Sequence, residues 1–334
     1  MRILKFLVIM ALLGIGVIYY IFFMPNFSDK KTKAIYIPTG SSYSQVMDTL
    51  MNNEIIKSKS TFNLVSRLLK YADCVKPGKY NIDVHAGNLT WIRKIRNGVQ
   101  DPVKVTLSNV DLPQELAQRL GNKLEKDSID FIHSLLATGT EGSINADNRW
   151  GVFLCNTYEL YWTTTPEKIM ERMKKEFDRY FEGENGEKAK VLGLTPIQII
   201  TLASIVQKET YKTDEQGKVA RVYLNRIVKG IPLQADPTVK FALGDPTIKR
   251  LLYKDLGVES PYNTYKYGGL PPGPICLPEL SCVREVLNAP NHNYIFFCAS
   301  PNFNGYHLFA ETASQHEANA QAYRKALNER KIFR

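Results

Sequence analysis

The chain is poor in cysteine, has no metal-ligand spacing and carries only one long apolar run. Its five cysteines among 334 residues, Cys74, Cys155, Cys276, Cys282 and Cys298, are too few and too scattered to staple a small disulfide scaffold, and none forms a C-x-x-C pair. The five histidines stand at no ligand spacing with them, so no metal is assigned and no cofactor is expected. A Cys276–Cys282 bridge is open in an oxidising compartment; buried free thiols are the alternative. The basic residues form no interleaved basic-aromatic motif, which places nucleic-acid binding last among the function classes. With 44% hydrophobic and 23% charged residues, wholesale disorder is excluded, and the length allows two or three domains. Lysine plus arginine exceeds aspartate plus glutamate by 43 − 33 = +10. That excess favours an anionic partner: nucleic acid, lipid head groups or an acidic wall polymer.

The single apolar run narrows the choice. Phe6 to Met24 carries no charge and follows Arg2 and Lys5. At ~1.5 Å per residue it reaches roughly 28 Å, close to the ~30 Å core of a bilayer. It ends in Tyr19-Tyr20-Ile21-Phe22-Phe23-Met24 without a small-residue cleavage site, so residues 1–24 read as an uncleaved signal anchor. Arg2 and Lys5 favour an N-inside topology, against which Lys30, Lys31 and Lys33 flank the far end. The rest of the chain is expected on one side of a membrane, outside the cytoplasm.

Beyond the anchor the pattern is α+β. Ile35-Tyr36-Ile37 predicts a strand, and Ser42 caps a helix with Val46 and Leu50 on one face. A second helix carries Phe62, Val65, Leu68 and Leu69. A strand around Tyr80 and Ile82 follows, then a helix from Trp91 that Gly98 ends. A weaker echo starts at Val103-Lys104-Val105, with helices over Leu116–Leu120 and Phe131–Leu136; Tyr43–Met51 aligns with Pro113–Gly121. These segments predict a small α/β module over 33–100 and a second strand–helix–helix module over 101–148. The main boundary is expected at the polar stretch Glu141 to Asn148, before a larger α+β domain over 149–334. There Pro166 opens a helix burying Ile169, Met170, Met173, Phe177 and Tyr180, and Glu182 to Glu187 is expected as a loop.

The most informative segment runs from Leu194 to Thr210. Thr195 and Gln198 make a capping box, with Pro196 at the first helical position. Ile199, Leu202, Ile205 and Val206 form an apolar stripe. At about 100° per residue, Glu209 falls roughly 20° from Leu202 and 40° from Ile205. Its carboxylate therefore shares the buried face, while Gln207 and Lys208 point elsewhere. Desolvation and the negative end of a helix both favour the protonated form, which is what a glycosidic general acid requires. The plain alternative is an ion pair with Lys212, Lys218 or Arg221. A second helix, near Gln216 to Val228, places Arg221, Asn225 and Arg226. Three loops follow, Leu233–Val239, Pro261–Tyr265 and Gly268–Ile275, rich in the amides, hydroxyls and tyrosines that bind sugar rings.

At these residues the chain resembles the endolytic murein transglycosylase family, the YceG-like lytic transglycosylases. The matching elements are Leu202-Ala-Ser-Ile-Val-Gln-Lys-Glu209, Val222-Tyr-Leu-Asn-Arg226 with Gly230, Leu233-Gln-Ala-Asp-Pro-Thr-Val239, Tyr262-Asn-Thr-Tyr265 and Gly269-Leu-Pro-Pro-Gly-Pro-Ile275, with Tyr294-Ile-Phe-Phe297 and His307-Leu-Phe309 further on. The resemblance implies an anchor, a LysM-like module near 33–100 and a catalytic domain from about residue 150. It further implies cleavage of the MurNAc–GlcNAc β-1,4 bond within peptidoglycan strands, leaving a 1,6-anhydro end. Glu209 would be the acid/base, and Gln234, Asp236, Asn263 and Tyr265 the candidate substrate contacts. Peptidoglycan synthases at the membrane are the implied partners. Two positions depart from the family: Gln207 stands where many members have glutamate, and Leu154-Cys-Asn-Thr-Tyr158 replaces Phe-Pro-Asp-Thr-Tyr. The competing classes are a non-catalytic wall-binding scaffold and a true hydrolase with Asp236 as its second carboxylate.

Overall fold

A computed structural model describes residues 2–137, 142–245, 248 and 251–330. Met1, Glu141 and residues 331–334, which the expected boundaries included, lie outside the described residues. The chain divides into two compact units, Met1–Val105 with Gly121–Asp127 and Tyr158–Thr165, and Thr106–Leu120 with Ser128–Thr157 and Pro166–Arg334. Residues 142–148 of the stretch expected as the main boundary fall inside the second unit.

The first unit begins with helix α1 (Arg2–Phe22), long and apolar enough to cross a bilayer. Strand β1 (Ala34–Ile37) pairs antiparallel with β2 (Gly78–Asn81) across helices α2 (Tyr43–Asn52) and α3 (Lys59–Leu68), and α4 (Asn88–Arg96) follows. The Ser42 capping box starts α2 as its spacing predicted, and Gly98 takes the positive φ that ends α4. The core of this unit holds Ile35, Ile37, Val46, Leu50, Phe62, Tyr80, Trp91 and Ile92. It also holds Phe27, wedged against Phe62 and Trp91, while Ile21 and Phe22 of α1 pack on its edge. Asn88 donates to the Ile21 carbonyl at 2.8 Å. The end of the helix thus packs on the same hydrophobic core as the module. Segments 121–127 and 158–165 join the unit through the Thr39 hydroxyl donating to Glu125 (2.7 Å) and Trp162 lying edge-on to Tyr36. Strands β3 (Val103–Thr106) and β4 (Thr157–Leu160) form their own two-stranded sheet.

The second unit is mostly helical. Helices α5 (Pro113–Gly121) and α6 (Ser128–Leu135) precede α7 (Pro166–Tyr180), α8 (Glu184–Val191), α9 (Pro196–Glu209), α10 (Thr213–Val228) and α11 (Asp236–Leu243). Helix α12 (Leu280–Leu287), the hairpin β5 (Phe296–Ala299) with β6 (His307–Ala310) and α13 (Ala313–Glu329) complete it. Three expectations are corrected. Helix α8 occupies most of the expected loop 182–187, because Gly183 at φ +62° turns the chain and Glu184 and Lys188 then pair along the new helix. Helix α11 begins inside the expected loop 233–239, with Pro237 in the first turn where its missing N–H is harmless. Helix α9 is buried on nearly every side rather than along a stripe, since α8, α10, α11 and α12 all pack on it. The cysteines are free thiols, Cys276 and Cys282 donating separately to the carbonyls of Ser204 and Ala203. The Cys276–Cys282 bridge does not form.

Candidate active site

The site is organised by the C-terminal end of α9. Its capping box forms as the spacing predicted, with Thr195 accepting from the Gln198 amide and Gln198 from that of Thr195. Polar side chains in the last turns tie the helix to its surroundings. Ser204 accepts from the Ile275 amide at 3.0 Å, Gln207 accepts from Glu279 at 2.6 Å, and Lys208 pairs with Asp111 at 2.6 Å. Gln207 and Lys208 do point away from the carboxylate face, and each is spent on holding a loop. The proline-rich loop approaches so closely that a Cβ on Gly273 would stand 2.3 Å from the Asp147 carbonyl oxygen, which only glycine avoids.

Glu209 makes no ion pair among the described residues. Arg221 donates instead to the carbonyls of Ala289 and Pro290, while the Lys212 and Lys218 ammoniums lie over the rings of Tyr306 and Phe309. The partner of Glu209 is Tyr223 of α10, whose hydroxyl donates to Oε1 at 2.7 Å. Tyr223 is 2% exposed, whereas Glu209 keeps part of its surface open. Burial of the carboxyl is the largest influence and pushes its pKa up to about 7; the Tyr223 bond works against that rise, the Asp236 charge adds to it, and Lys240 and Arg226 oppose it. An acid that remains half protonated near neutrality can give a proton to a leaving oxygen and take one back.

The remaining expected residues fall into two groups. Asp236 opens α11, where a helix N-terminus favours an anion, and its Oδ1 accepts from the Tyr265 hydroxyl at 2.5 Å. Both keep exposed surface. Gln234 is exposed and sits at φ +50°, a left-handed conformation that costs a non-glycine residue roughly 1 kcal/mol. It is held there by Thr264, whose carbonyl accepts from the Gln234 amide and whose hydroxyl accepts from that of Ala235. Asn263 is different. It is fully buried, donates to the carbonyls of Leu256 and Val258 at 2.9 Å each, and accepts from the Tyr265 amide. Its side chain shapes the loop that presents Tyr265 and offers nothing to a ligand.

Two residues escaped the sequence reading as site components. Tyr223 lies within a quoted motif, but its role depends on the pairing of two helices. Arg226 is 9% exposed and donates to the carbonyls of Ile295, Pro232 and Leu233. It fixes the loop carrying Gln234 and leaves a cation near Glu209 without a direct pair. Its position three residues after Tyr223 on α10 was the available signal.

One carboxyl raised by burial, one neutral donor to it and a second carboxylate at the start of α11 make an arrangement able to give and take a proton. A profile of the YceG-like family matches residues 35–322, and the chain belongs to that family. It is 30% identical over 319 residues to the endolytic murein transglycosylase of Bacillus subtilis strain 168, an alignment covering 90% of this chain and 87% of that protein. It is 24% identical over 359 residues to the protein of the same name in Streptococcus pneumoniae D39, covering 95% of this chain and 64% of that one. The crystal structure of a YceG-like protein from Listeria monocytogenes superposes with a TM-score of 0.54 at 26% identity, over 85% of this chain and 98% of the other.

Proposed function

We propose that this protein is an endolytic murein transglycosylase that cuts MurNAc–GlcNAc β-1,4 bonds within nascent glycan strands, leaves 1,6-anhydroMurNAc ends and so terminates strand growth. The observation that carries the reading is the placement of Glu209, a largely buried carboxyl whose hydrogen bond among the described residues comes from the neutral Tyr223 hydroxyl, with burial pushing its pKa up to about 7. Protonated, Glu209 donates to the glycosidic oxygen as the C1–O bond breaks. The resulting carboxylate accepts the proton of the MurNAc 6-hydroxyl, whose oxygen bonds to C1. The proton is returned to the enzyme, no water is consumed and one carboxyl serves both steps. Tyr223 holds the carboxylate through the second step. Asp236, Tyr265 and Gln234 face the substrate, with Asp236 placed to offset positive charge at the anomeric carbon.

Around this centre, α1 anchors the chain in the cell inner membrane, with the catalytic domain (149–334) outside the cytoplasm. The strand–helix–helix–strand order of β1, α2, α3 and β2 supports a glycan-binding, LysM-like role for residues 33–100. A membrane-bound terminator of nascent strands would work beside peptidoglycan synthases.

The test is mass spectrometry of uncross-linked glycan strands incubated with the full-length protein in detergent, wild type beside Glu209→Gln. Anhydro-ended fragments from wild type alone are expected. Reducing ends heavier by one water would replace the reading with a hydrolase using Asp236. Binding without cleavage by wild type would replace it with a non-catalytic scaffold.

A further inference from the structure

Beside Glu209, the second unit carries a groove of about 380 Å³ that the acid–base chemistry does not use. Its walls come from four parts of the chain: Leu112 ahead of α5, Lys208 and Tyr211 on either side of Glu209, Lys240 and Phe241 on α11, and Ile275 at the end of the proline-rich loop. The size lies within the ~300–1,000 Å³ range of small-ligand sites. Tyr211 is the unusual member. It is 89% exposed, only two residues beyond the general acid, with its ring turned to solvent rather than into the core. Phe241 is steadied by a tilted contact with Tyr262, centroids 4.7 Å apart. Lys240 lies near enough to Glu209 to favour its ionised form, so the groove and the carboxyl are neighbours.

The charges in the walls oppose one another. Lys208 pairs with Asp111 at 2.6 Å, and Glu115 and Asp245 stand among the lining residues with Lys240. Mixed donors and acceptors beside the open ring of Tyr211 suit an uncharged ring bearing hydroxyls and an acetamide, rather than an anionic peptide stem. Cutting inside a strand also requires grip on sugars beyond the two at the scissile bond. We infer that this groove is a subsite for a neutral N-acetylhexosamine ring of the same glycan strand, with Tyr211 as the platform on which the pyranose face stacks. The inference rests on the proposed glycan cleavage, and its test separates the two.

The test uses the full-length protein in detergent with peptide-free GlcNAc–MurNAc strands. Tyr211→Ala, Tyr211→Phe and Tyr211→Trp are compared for KM and kcat. Binding of the same strands is measured for each in the non-cleaving Glu209→Gln background. A stacking role requires Tyr211→Ala to raise KM and weaken binding roughly tenfold while kcat stays within about twofold, and the Phe and Trp variants to keep wild-type affinity. Because the side chain is almost wholly exposed, unchanged melting temperatures are expected throughout. Unaltered KM and binding in Tyr211→Ala would overturn the subsite, as would equal loss in Tyr211→Phe, which would assign the effect to the hydroxyl. Absence of anhydro products from the Tyr211-intact enzyme would instead sink the proposed reaction, and the binding measurement would still decide the subsite.

Discussion

Glu209 and Glu215 are six positions apart, both withdrawn from solvent, and they have opposite surroundings. Glu209 ends α9, where the helix dipole repels an anion; Glu215 lies in the first turn of α10, where the dipole welcomes one. Among the described residues Glu209 receives one hydrogen bond, from a neutral phenol. Glu215, only 5% exposed, accepts from the His307 amide at 2.8 Å, is bonded to His307 Nδ1 at 2.7 Å and accepts from the Thr210 hydroxyl at 3.4 Å. A carboxylate satisfied on both oxygens by fixed donors ties a helix to a hairpin. One with a single neutral donor and an open side remains available for proton transfer.

Removing each carboxylate should break different properties. Glu209→Gln should lower kcat by at least ~10³-fold, near the upper range for loss of a general acid. Its effect on stability should carry the opposite sign. Burial raises the folded-state pKa to about 7 from an ordinary 4.5, so the native state binds the proton more tightly than the unfolded chain. Wild type then loses stability as pH rises between those values, by up to about 3 kcal/mol above pH 7. Thermal melts should show the glutamine variant more stable than wild type at pH 8 and equal to it at pH 4. Equal melting temperatures at pH 8 would mean that the carboxyl is not strained by its burial.

Glu215→Ala reverses the pattern. It strips the His307 amide and ring of their acceptor and should cost roughly 1–3 kcal/mol, read as a lowered urea midpoint. The fraction still folded should keep the wild-type pH profile. A changed profile would show that Glu215 communicates with the Glu209 carboxyl, for which the ring contacts from His307 to Phe297 and from Phe297 to Tyr223 offer a route.

This contrast also marks how far the sequence was legible. Helix ends were readable where capping is local: Ser42 with Gln45, and Thr195 with Pro196 and Gln198. Glu209 was found because helical periodicity alone puts it beside Leu202 and Ile205. Its partner was not, because Tyr223 reaches it only once α10 folds back along α9. The same holds for Glu215, whose lock on His307 spans 92 residues, and for Asp236, whose partner Tyr265 belongs to another loop. Asn263 shows the converse. An amide in a polar loop has the composition of a sugar contact, and only the three-dimensional arrangement reveals that its bonds are all spent on its own backbone. Phe27 sits in a segment too short and polar to register as core, yet the first unit closes around it.

The smallest expected effects sharpen the account of Glu209 itself, because its two polar neighbours push in opposite directions. Tyr223 stabilises the carboxylate and holds the pKa down; Asp236 repels it and pushes the pKa up. The first half-reaction needs the protonated acid, so kcat/KM should fall as pH rises through about 7 in the wild type. Tyr223→Phe removes the donor, so that descending limb should move to higher pH, with a rate loss of up to about tenfold from the less well-held carboxylate. Asp236→Asn removes the repulsion, so the limb should move to lower pH. A merely structural role for either residue would reduce activity equally at every pH. Opposite displacements from two isosteric changes would place Glu209 between these neighbours during the reaction, whereas displacements of the same sign would show that the titrating group is another residue.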